Sequence, residues 1–272
     1  MSTIPADPTT ASAVTPSRIP LGTRLAYGFG SVAFGVKNNG FDYFLLLFYS
    51  QVVGLDARLV GIALTTALVF DAISDPVVGY WSDNTRSRWG RRRPWIFVGA
   101  IITGLSYVAM WQLHKGDGIT YNFIYFLSWS LVFYLGLTIF STPYVAMGYE
   151  MSDNFHERTR LMAVAQWIGQ WAWVIAPLFW IIMYDPEWFP SADVAARQLA
   201  VWVAIPCAIC AIVPGLFIKS ESTVNEDYEP LNLRNIGASL RKIFIESFGA
   251  AFKIKEFRQL CGATFLIFNS FN

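Results

Sequence analysis

The sequence predicts an all-α integral membrane protein with at least six transmembrane helices. The 272 residues are 54% hydrophobic and only 14% charged, whereas soluble domains are about a quarter charged and less than half apolar. Six apolar stretches are also long enough to cross a hydrocarbon core about 30 Å thick, which takes about 20 helical residues. These stretches run over 24–53, 58–82, 94–113, 120–150, 159–183 and 197–218.

Lysine and arginine cluster in alternate loops, and this pattern orients the chain. The basic loops follow the second, fourth and sixth stretches, at Arg86–Arg93, Arg158–Arg160 and Lys219–Lys255, whereas the opposite loops carry only Arg58, Lys115 and Arg197. Cytoplasmic loops carry the excess of Lys and Arg in membrane proteins. We therefore expect a cytoplasmic amino terminus and a location in the cell membrane, specifically a bacterial inner membrane.

The remaining segments suggest a division into four parts. Residues 1–23, rich in Ser, Thr, Pro and Ala, are typical of a cytoplasmic tail, and residues 24–218 form the bundle. Residues 219–256 predict a cytoplasmic linker with an amphipathic helix that suits the inner leaflet. Residues 257–272 would extend only about 24 Å as a helix, so we interpret them as the truncated start of a seventh span. The expected partners are the bilayer and a missing carboxy-terminal bundle.

Two aspartates lie near the middle of the second stretch, at Asp71 and Asp75. Residues four apart project from the same helix face, and ionisable groups within a span are costly and usually functional. Two like charges on one face favour a bound cation, either Na⁺ held by oxygen ligands or a proton. The alternative, a pair solvated in a wide cytoplasmic vestibule, is disfavoured by the mid-span position.

The first stretch carries further polar residues. Lys37 lies near mid-depth, and a buried ammonium needs a partner, so we group Lys37 with Asp71 and Asp75 as cation-coupling residues. The alternative is a Lys37 side chain that snorkels to the interface. Asn38 shares a helix face with Asp42, and both are candidate substrate contacts.

Span four contains Ser141 and Thr142 before Pro143. A proline frees a carbonyl and bends a helix, and neighbouring hydroxyls help to satisfy the released backbone. Broken polar helices at depth commonly bind a substrate or ion, so Ser141 and Thr142 are candidate substrate contacts. The alternative is an ordinary kinked span.

Span five carries Gln166 and Gln170 one helical turn apart, with Trp167 beside them. Amides that hydrogen-bond hydroxyls and an indole that stacks on a sugar face would together make a sugar site. The alternative is an interfacial tryptophan belt with structural glutamines.

Other classes of function fit the sequence less well. It shows no nucleophile–base or metal-ligand cluster, and its histidines, His114 and His156, are both in loops, so we do not expect an enzyme. A non-transporting membrane scaffold would leave the costly mid-span charges without a role. The arginines of the loop Arg86–Arg93 are confined between two spans, and we expect no binding to nucleic acid.

Several separated motifs bear a family likeness. These are YGFG, VVGL, DAISDPVVGYWSDNTRSRWGRRRPW and STPYVAMGYEMSDNFHERTRLMA. In this order they resemble the glycoside–pentoside–hexuronide:cation symporters of the major facilitator superfamily, which are melibiose permease-like, from Tyr27 to span seven. The resemblance implies a six-helix amino-terminal bundle of a twelve-helix carrier. It also implies H⁺- or Na⁺-coupled symport of a sugar or glycoside by alternating access, with no other cofactor.

The resemblance also assigns roles to residues. Asp71 and Asp75 match the acidic pair of the coupling-cation site, including a possible Na⁺ site. The loop after span two matches the signature that clamps the two bundles at the cytoplasmic gate. The implied gate residues are Gly79, Asp83, Gly90, Arg91, Arg92 and Arg93.

Three positions depart from the melibiose-type pattern. A sugar-binding aspartate is matched by Gly35, an aspartate at the ion and sugar sites by Ser141, and a sugar-binding arginine by Gln166. These departures leave open a same-fold carrier of an amphipathic solute such as a lysolipid. The additional Lys37 leads to the hypothesis of H⁺ coupling, or of a site where its ammonium competes with the ion.

Overall fold

The computed structural model describes residues 18–39, 45–46, 48–113, 118–185, 187–218, 222–224 and 248–270. These ranges contain α-helices and one π-helical turn, Phe48–Val53, but no strand, which confirms the all-α prediction. The α-helices are α1 (Leu21–Gly30), α2 (Val32–Asn39), α3 (Ala57–Asp83), α4 (Arg93–Met110), α5 (Ile119–Glu150), α6 (Phe155–Met183), α7 (Ala192–Phe217), α8 (Phe248–Lys253) and α9 (Lys255–Ser270).

Side chains at the helix starts explain where the long helices begin. Asp56 accepts a hydrogen bond from the Arg58 backbone N–H at 2.8 Å and caps α3. Asn154 accepts one from the His156 N–H at 2.9 Å and caps α6, so α6 begins before the predicted stretch 159–183. Pro94 lies in the first turn of α4, where its missing N–H has no intrahelical partner to lose.

Four helices in the described part of the chain are long and apolar enough to cross a membrane: Ala57–Asp83, Arg93–Met110, Ile119–Glu150 and Val194–Phe217. They coincide with the predicted second, third, fourth and sixth stretches. The fifth stretch lies within α6, which has 29 residues. The first stretch is divided, because the α1–α2 helix is interrupted by a turn at Ser31.

The bundle is assembled around α5 and α7. Helix α4 packs against both, α3 packs against α5, and α1 and α2 pack against α6 and α7. An aromatic column joins α1 to α5, with Tyr27 stacked on Tyr144 at 4.4 Å between ring centroids and Tyr144 stacked on Phe140 at 5.3 Å. Stacked aromatic pairs stabilise beyond the area that they bury, so this column holds α5 in a fixed rotation.

Some predicted features fall outside the described residues. Asp42, residues 1–17 of the predicted tail and most of the predicted linker 219–256 lie outside them. Lys37 and Asn38 belong to α2, but their side chains are not among the described ones.

Candidate functional site

The acidic pair of α3 is held by threonines of α5. The Thr138 hydroxyl donates to Asp71 Oδ1 at 2.5 Å, and the Thr142 hydroxyl donates to Asp75 Oδ1 at 3.2 Å. Both threonines and both aspartates are four residues apart, so α3 and α5 run parallel and in register at this depth. The structure thus gives each aspartate a neutral hydrogen-bond donor on the same neighbouring helix.

A serine adds a further oxygen beside the pair. The Ser74 hydroxyl lies 3.3 Å from the Thr138 hydroxyl, and both residues are buried. In the described part of the chain no group of three or more His, Cys, Asp or Glu is placed to hold a metal. A cation at this place would therefore be held by the two carboxylates together with hydroxyl or carbonyl oxygens, which suit a hard cation.

Sequence reasoning missed Thr138 and Ser74. A signal was present, because Thr138 and Thr142 repeat the spacing of Asp71 and Asp75. It was not decisive, because threonines in apolar helices often bond their own backbone, as Thr103 does to the Gly99 carbonyl at 2.7 Å.

The predicted substrate residues of span four lie on an unbroken helix. Helix α5 continues through Pro143 from Ile119 to Glu150, so the interpretation as a broken helix is wrong. Neighbouring helices can satisfy the backbone that a proline frees in a transmembrane span. Ser141 and Thr142 are half-buried, and Thr142 belongs with the acidic pair through its bond to Asp75.

The predicted substrate residues of span five point in different directions. Gln166, Trp167 and Gln170 are all exposed. Trp167 meets Trp171 edge-on, with 5.8 Å between ring centroids, and both line an apolar groove next to α7 to which neither glutamine contributes. The structure therefore separates Trp167 from the two amides.

Gly35, which matches a sugar-binding aspartate in the resembled family, lies at a close helix crossing. A β-carbon at this position would lie 2.5 Å from the Gly169 carbonyl oxygen and 2.6 Å from the Ala172 β-carbon. Helices approach this closely only where small residues face each other. No side chain can be accommodated here unless α2 and α6 move apart.

Three of the predicted gate residues, Asp83, Arg91 and Arg92, form an ion-pair cluster with Glu150 at one end of the bundle. Arg92 bonds Asp83 of α3 at 2.9 Å and Glu150 of α5 at 2.7 Å. Arg91 also pairs with Glu150, so two arginines of this loop meet the same glutamate. Arg92 is only 7% exposed, so its charge depends on these partners more than a surface arginine would.

The same loop is fastened to the end of α7. Gly90 adopts a φ of +84°, a conformation that favours glycine. The guanidinium of Arg93 donates to the carbonyl oxygens of Gly215 at 2.5 Å and Leu216 at 3.0 Å. A cation is favourable at a helix carboxyl end, so Arg93 caps α7.

Thr223, beyond α7, is hydrogen-bonded to this loop. Its hydroxyl accepts from the Ser87 backbone N–H at 3.2 Å and donates to the Thr85 carbonyl at 3.1 Å. Its own N–H donates to the Ser87 carbonyl at 3.3 Å. The start of the predicted linker thus pairs with the loop between α3 and α4, a contact that no local sequence pattern predicts.

A second charged cluster at this end involves Glu157 of α6. Its carboxylate accepts from the Ile19 backbone N–H at 3.3 Å and pairs with Arg24 at 2.7 Å and Arg160 at 2.9 Å. Burial raises the pKa of this carboxyl, but the Ile19 N–H and the two arginines outweigh that effect, so the pKa lies below its ordinary value. The cluster ties the start of α1 to the start of α6.

Comparison with known proteins identifies relatives of this chain. It is 42% identical over 144 residues to an uncharacterized symporter of Synechocystis sp., covering 51% of this chain and 26% of that protein. It is 25% identical over 164 residues to the isoprimeverose transporter of Lactiplantibacillus pentosus (58% and 33%). It is 28% identical over 142 residues to the sodium-dependent lysophosphatidylcholine symporter 1 of Gallus gallus (52% and 26%).

The chain spans about a quarter to a third of the length of these curated relatives. The relatives are membrane symporters or transporters rather than enzymes, which confirms the prediction that this chain is no enzyme. Together with the apolar helices, they make it part of an integral membrane protein. The family model described as "MFS/sugar transport protein" matches residues 26–268, and the chain therefore belongs to this family of the major facilitator superfamily.

Proposed function

We propose that this chain is the amino-terminal bundle of a cation-coupled symporter in which Asp71 and Asp75 bind the coupling ion. The observation that carries the proposal is the pairing of both carboxylates, at bilayer depth on α3, with hydroxyl donors on α5. A hydroxyl donor orients a carboxylate without cancelling its charge, whereas an arginine would neutralise it. The two carboxylates and the hydroxyls beside them are oxygen ligands of the kind that a hard cation takes.

In this proposal the rest of the bundle responds to ion binding. Helices α3 and α5 carry the ion site at mid-depth, and their ends are joined by Arg92 through Asp83 and Glu150. A shift of either helix on ion binding is therefore transmitted to the gate loop. Alternating access requires such coupling, because one bundle rocks against the other around a site near the midplane.

The coupling ion is H⁺ or Na⁺. Lys37 on α2 supports H⁺ coupling, or a site in which its ammonium competes with the ion. Solute uptake that requires Na⁺ and ignores a proton gradient would contradict this part of the proposal. We propose that the amino terminus lies in the cytoplasm, because the arginine-rich loops favour that orientation. We also propose that the carrier lies in a bacterial inner membrane.

The solute that we propose first is a sugar or glycoside. The isoprimeverose transporter among the relatives supports this class, and the exposed amides of Gln166 and Gln170 are of the type that hydrogen-bonds hydroxyls. Asn38, Asp42 and Ser141 stay in the proposed substrate site, with the missing bundle supplying the other half.

An amphipathic solute such as a lysolipid is the second candidate. The close crossing at Gly35 supports it, because this position excludes the aspartate of the resembled sugar carriers. The lysophosphatidylcholine symporter among the relatives points in the same direction. Uptake of radiolabelled glycosides and of lysophosphatidylcholine by the full-length carrier in proteoliposomes separates the two candidates.

The ion site is tested by Asp71→Asn and Asp75→Asn in the full-length carrier. An amide removes the charge but nearly preserves the shape, so we expect accumulation driven by an ion gradient to fall at least tenfold in each variant. Exchange of solute without a gradient should fall less. The matched control is Glu187→Gln, because Glu187 is an exposed carboxylate outside the proposed ion site. Unchanged accumulation in either aspartate variant would show that the pair does not couple transport.

The crossing at Gly35 is tested by Gly35→Ala, with Gly61→Ala as the control. Gly61 has nothing within 4 Å of an added β-carbon. We expect Gly35→Ala to lower the thermal midpoint, since overpacking costs about 1–3 kcal/mol, and Gly61→Ala to leave it unchanged or raise it. If the two variants melt alike, α2 and α6 do not cross closely and the exclusion of a sugar-binding side chain fails.

A further inference from the structure

An apolar groove of about 550 Å³ runs along the side of the bundle between α6 and α7. Its floor is formed by α1, α2 and α4, and its walls include Phe29, Val36, Trp167, Trp171, Ile175 and Trp202. None of the described residues that line it is Asp, Glu, Lys or Arg. We infer that this groove binds one acyl chain of a membrane phospholipid.

The groove is at least as long as one leaflet of the hydrocarbon core is thick. Its lining extends along α6 from Trp167 to Met183 and along α7 from Ala196 to Cys207, distances of about 24 Å and 17 Å at 1.5 Å per residue. Half of a hydrocarbon core is about 15 Å, and small-molecule sites occupy roughly 300–1,000 Å³. A single extended chain therefore fits the length and the volume.

The position of the groove selects lipid as the occupant. Helices α4 and α7, which contribute to the lining, are long and apolar enough to cross the membrane, so these walls are at the depth of the hydrocarbon core. Trp167 and Trp202 are 64% and 52% exposed, which leaves the groove open at the side. Water would gain no hydrogen bonds from so apolar a lining, whereas an acyl chain gains packing contacts.

The occupant also fills a gap in the bundle. Helices α6 and α7 follow each other in the chain, yet α6 packs mainly on α1 and α2, and α7 packs mainly on α4 and α1, rather than on each other. Neither α3 nor α5, which carry the acidic pair and its threonines, lines the groove. The lipid is therefore a wedge between α6 and α7, separate from the proposed ion site.

Adjacent residues of α6 provide a matched pair of variants. Ile175 lines the groove, whereas Val174 does not, and both are exposed, at 45% and 61%. Ile175→Trp fills the groove and Val174→Trp adds the same bulk outside it. The test is native mass spectrometry of the full-length carrier, reconstituted with 1-palmitoyl-2-oleoyl phosphatidylcholine and released from the membrane. We expect one retained phospholipid in the wild type and in Val174→Trp, and at least a tenfold lower occupancy in Ile175→Trp.

Two further measurements test lipid binding in the groove if Ile175→Trp folds poorly. Trp202→Ala removes part of a wall instead of filling the groove, and it should also reduce retention. Phosphatidylcholine with brominated acyl chains should quench tryptophan fluorescence less in Trp167→Phe than in Trp188→Phe, because Trp188 lies outside the groove. Equal retention in the two α6 variants, no retained lipid in the wild type, or a second copy of the chain cross-linked at Ile175 would overturn the inference.

Discussion

Two groups of carboxylates lie on the same pair of helices but have different partners. At mid-depth, Asp71 and Asp75 of α3 accept hydrogen bonds from the hydroxyls of Thr138 and Thr142 of α5. At the end of the same helices, Asp83 and Glu150 share the guanidinium of Arg92. Both groups connect α3 to α5, the first through neutral donors and the second through a charge.

Under the proposed function, this difference separates the proposed ion site from a structural clamp. A guanidinium compensates two carboxylates permanently, and the cost of burying it is offset only while both remain in place. A hydroxyl stabilises the orientation of a carboxylate and leaves its charge to be met by something else. In the proposed function, the fixed guanidinium holds the helix ends together, and the coupling ion binds where the carboxylates meet hydroxyls.

The largest expected effect comes from removing the fixed cation. Arg92→Ala removes the guanidinium that pairs with Asp83 and leaves Glu150 with Arg91, and we expect the free energy of unfolding to fall by about 2 kcal/mol. This is less than the 3–5 kcal/mol typical of a fully buried pair, because both carboxylates are about half exposed. Thermal unfolding of the full-length carrier measures the loss.

Arg92→Lys is the matched control for the clamp. A lysine keeps the charge, but its ammonium is at the end of a flexible chain and is not held by a planar guanidinium whose Nη2 bonds both carboxylates, so it should recover only part of the lost stability. Full recovery would mean that charge alone, rather than bridging, holds α3 to α5. An unaltered melting temperature in Arg92→Ala would mean that the cluster is not a clamp.

A smaller effect, on ion affinity rather than stability, is expected at the threonines. Hydrogen bonds to charged groups contribute about 1.5–3 kcal/mol, so Thr138→Val should weaken the activation of transport by the coupling ion about tenfold or more. Thr142→Val should weaken it less, because its bond to Asp75 is longer, at 3.2 Å against 2.5 Å. Initial uptake rates over a range of ion concentrations give both values.

Serine variants separate the hydroxyl from the shape of the side chain. Thr138→Ser keeps the donor and should retain ion activation within about twofold of the wild type. If Thr138→Ser is as impaired as Thr138→Val, packing of the methyl group matters more than the hydrogen bond. If Thr142→Val is the more impaired of the two valine variants, the ion is held at Asp75 rather than between the two aspartates.

Much of the fold could be predicted because the membrane leaves few choices. Uninterrupted apolar stretches predicted α3, α4, α5 and α7 to within a few residues, since a span needs a minimum length. The prediction was less successful for the first stretch, where a turn at Ser31 separates α1 from α2. At that turn the Ser31 hydroxyl donates a hydrogen bond to the Ala165 carbonyl of α6 at 2.5 Å. No local sequence pattern predicts a partner on a distant helix.

The candidate site could be predicted only in part, for a related reason. Asp71 and Asp75 are conspicuous in sequence because charges are rare in spans. Thr138 and Gly35 are ordinary residues for a membrane helix, and their importance depends on what faces them. Packing determines the register of α3 against α5 and the crossing of α2 with α6. One amino-acid sequence does not show directly which residues of different helices face each other.

The smallest expected effect tests whether the ion pairs of Glu157 with Arg24 and Arg160 stabilise the bundle through charge, as the Arg92 cluster does. The pKa of Glu157 lies below its ordinary value, about 4.3 for a glutamate, because of the Ile19 N–H, Arg24 and Arg160 despite burial. The charged form is therefore favoured by folding, and the stability it contributes is present above that ordinary pKa and lost as the pH falls through the lower folded value. Glu157→Gln should thus melt slightly below the wild type at pH 7, and the difference should shrink as the pH is lowered below 4. Glu187→Gln, which is exposed, should show no such convergence. A difference that is constant with pH would mean that Glu157 acts through its shape and hydrogen bonds, and that only the Arg92 cluster is an electrostatic clamp.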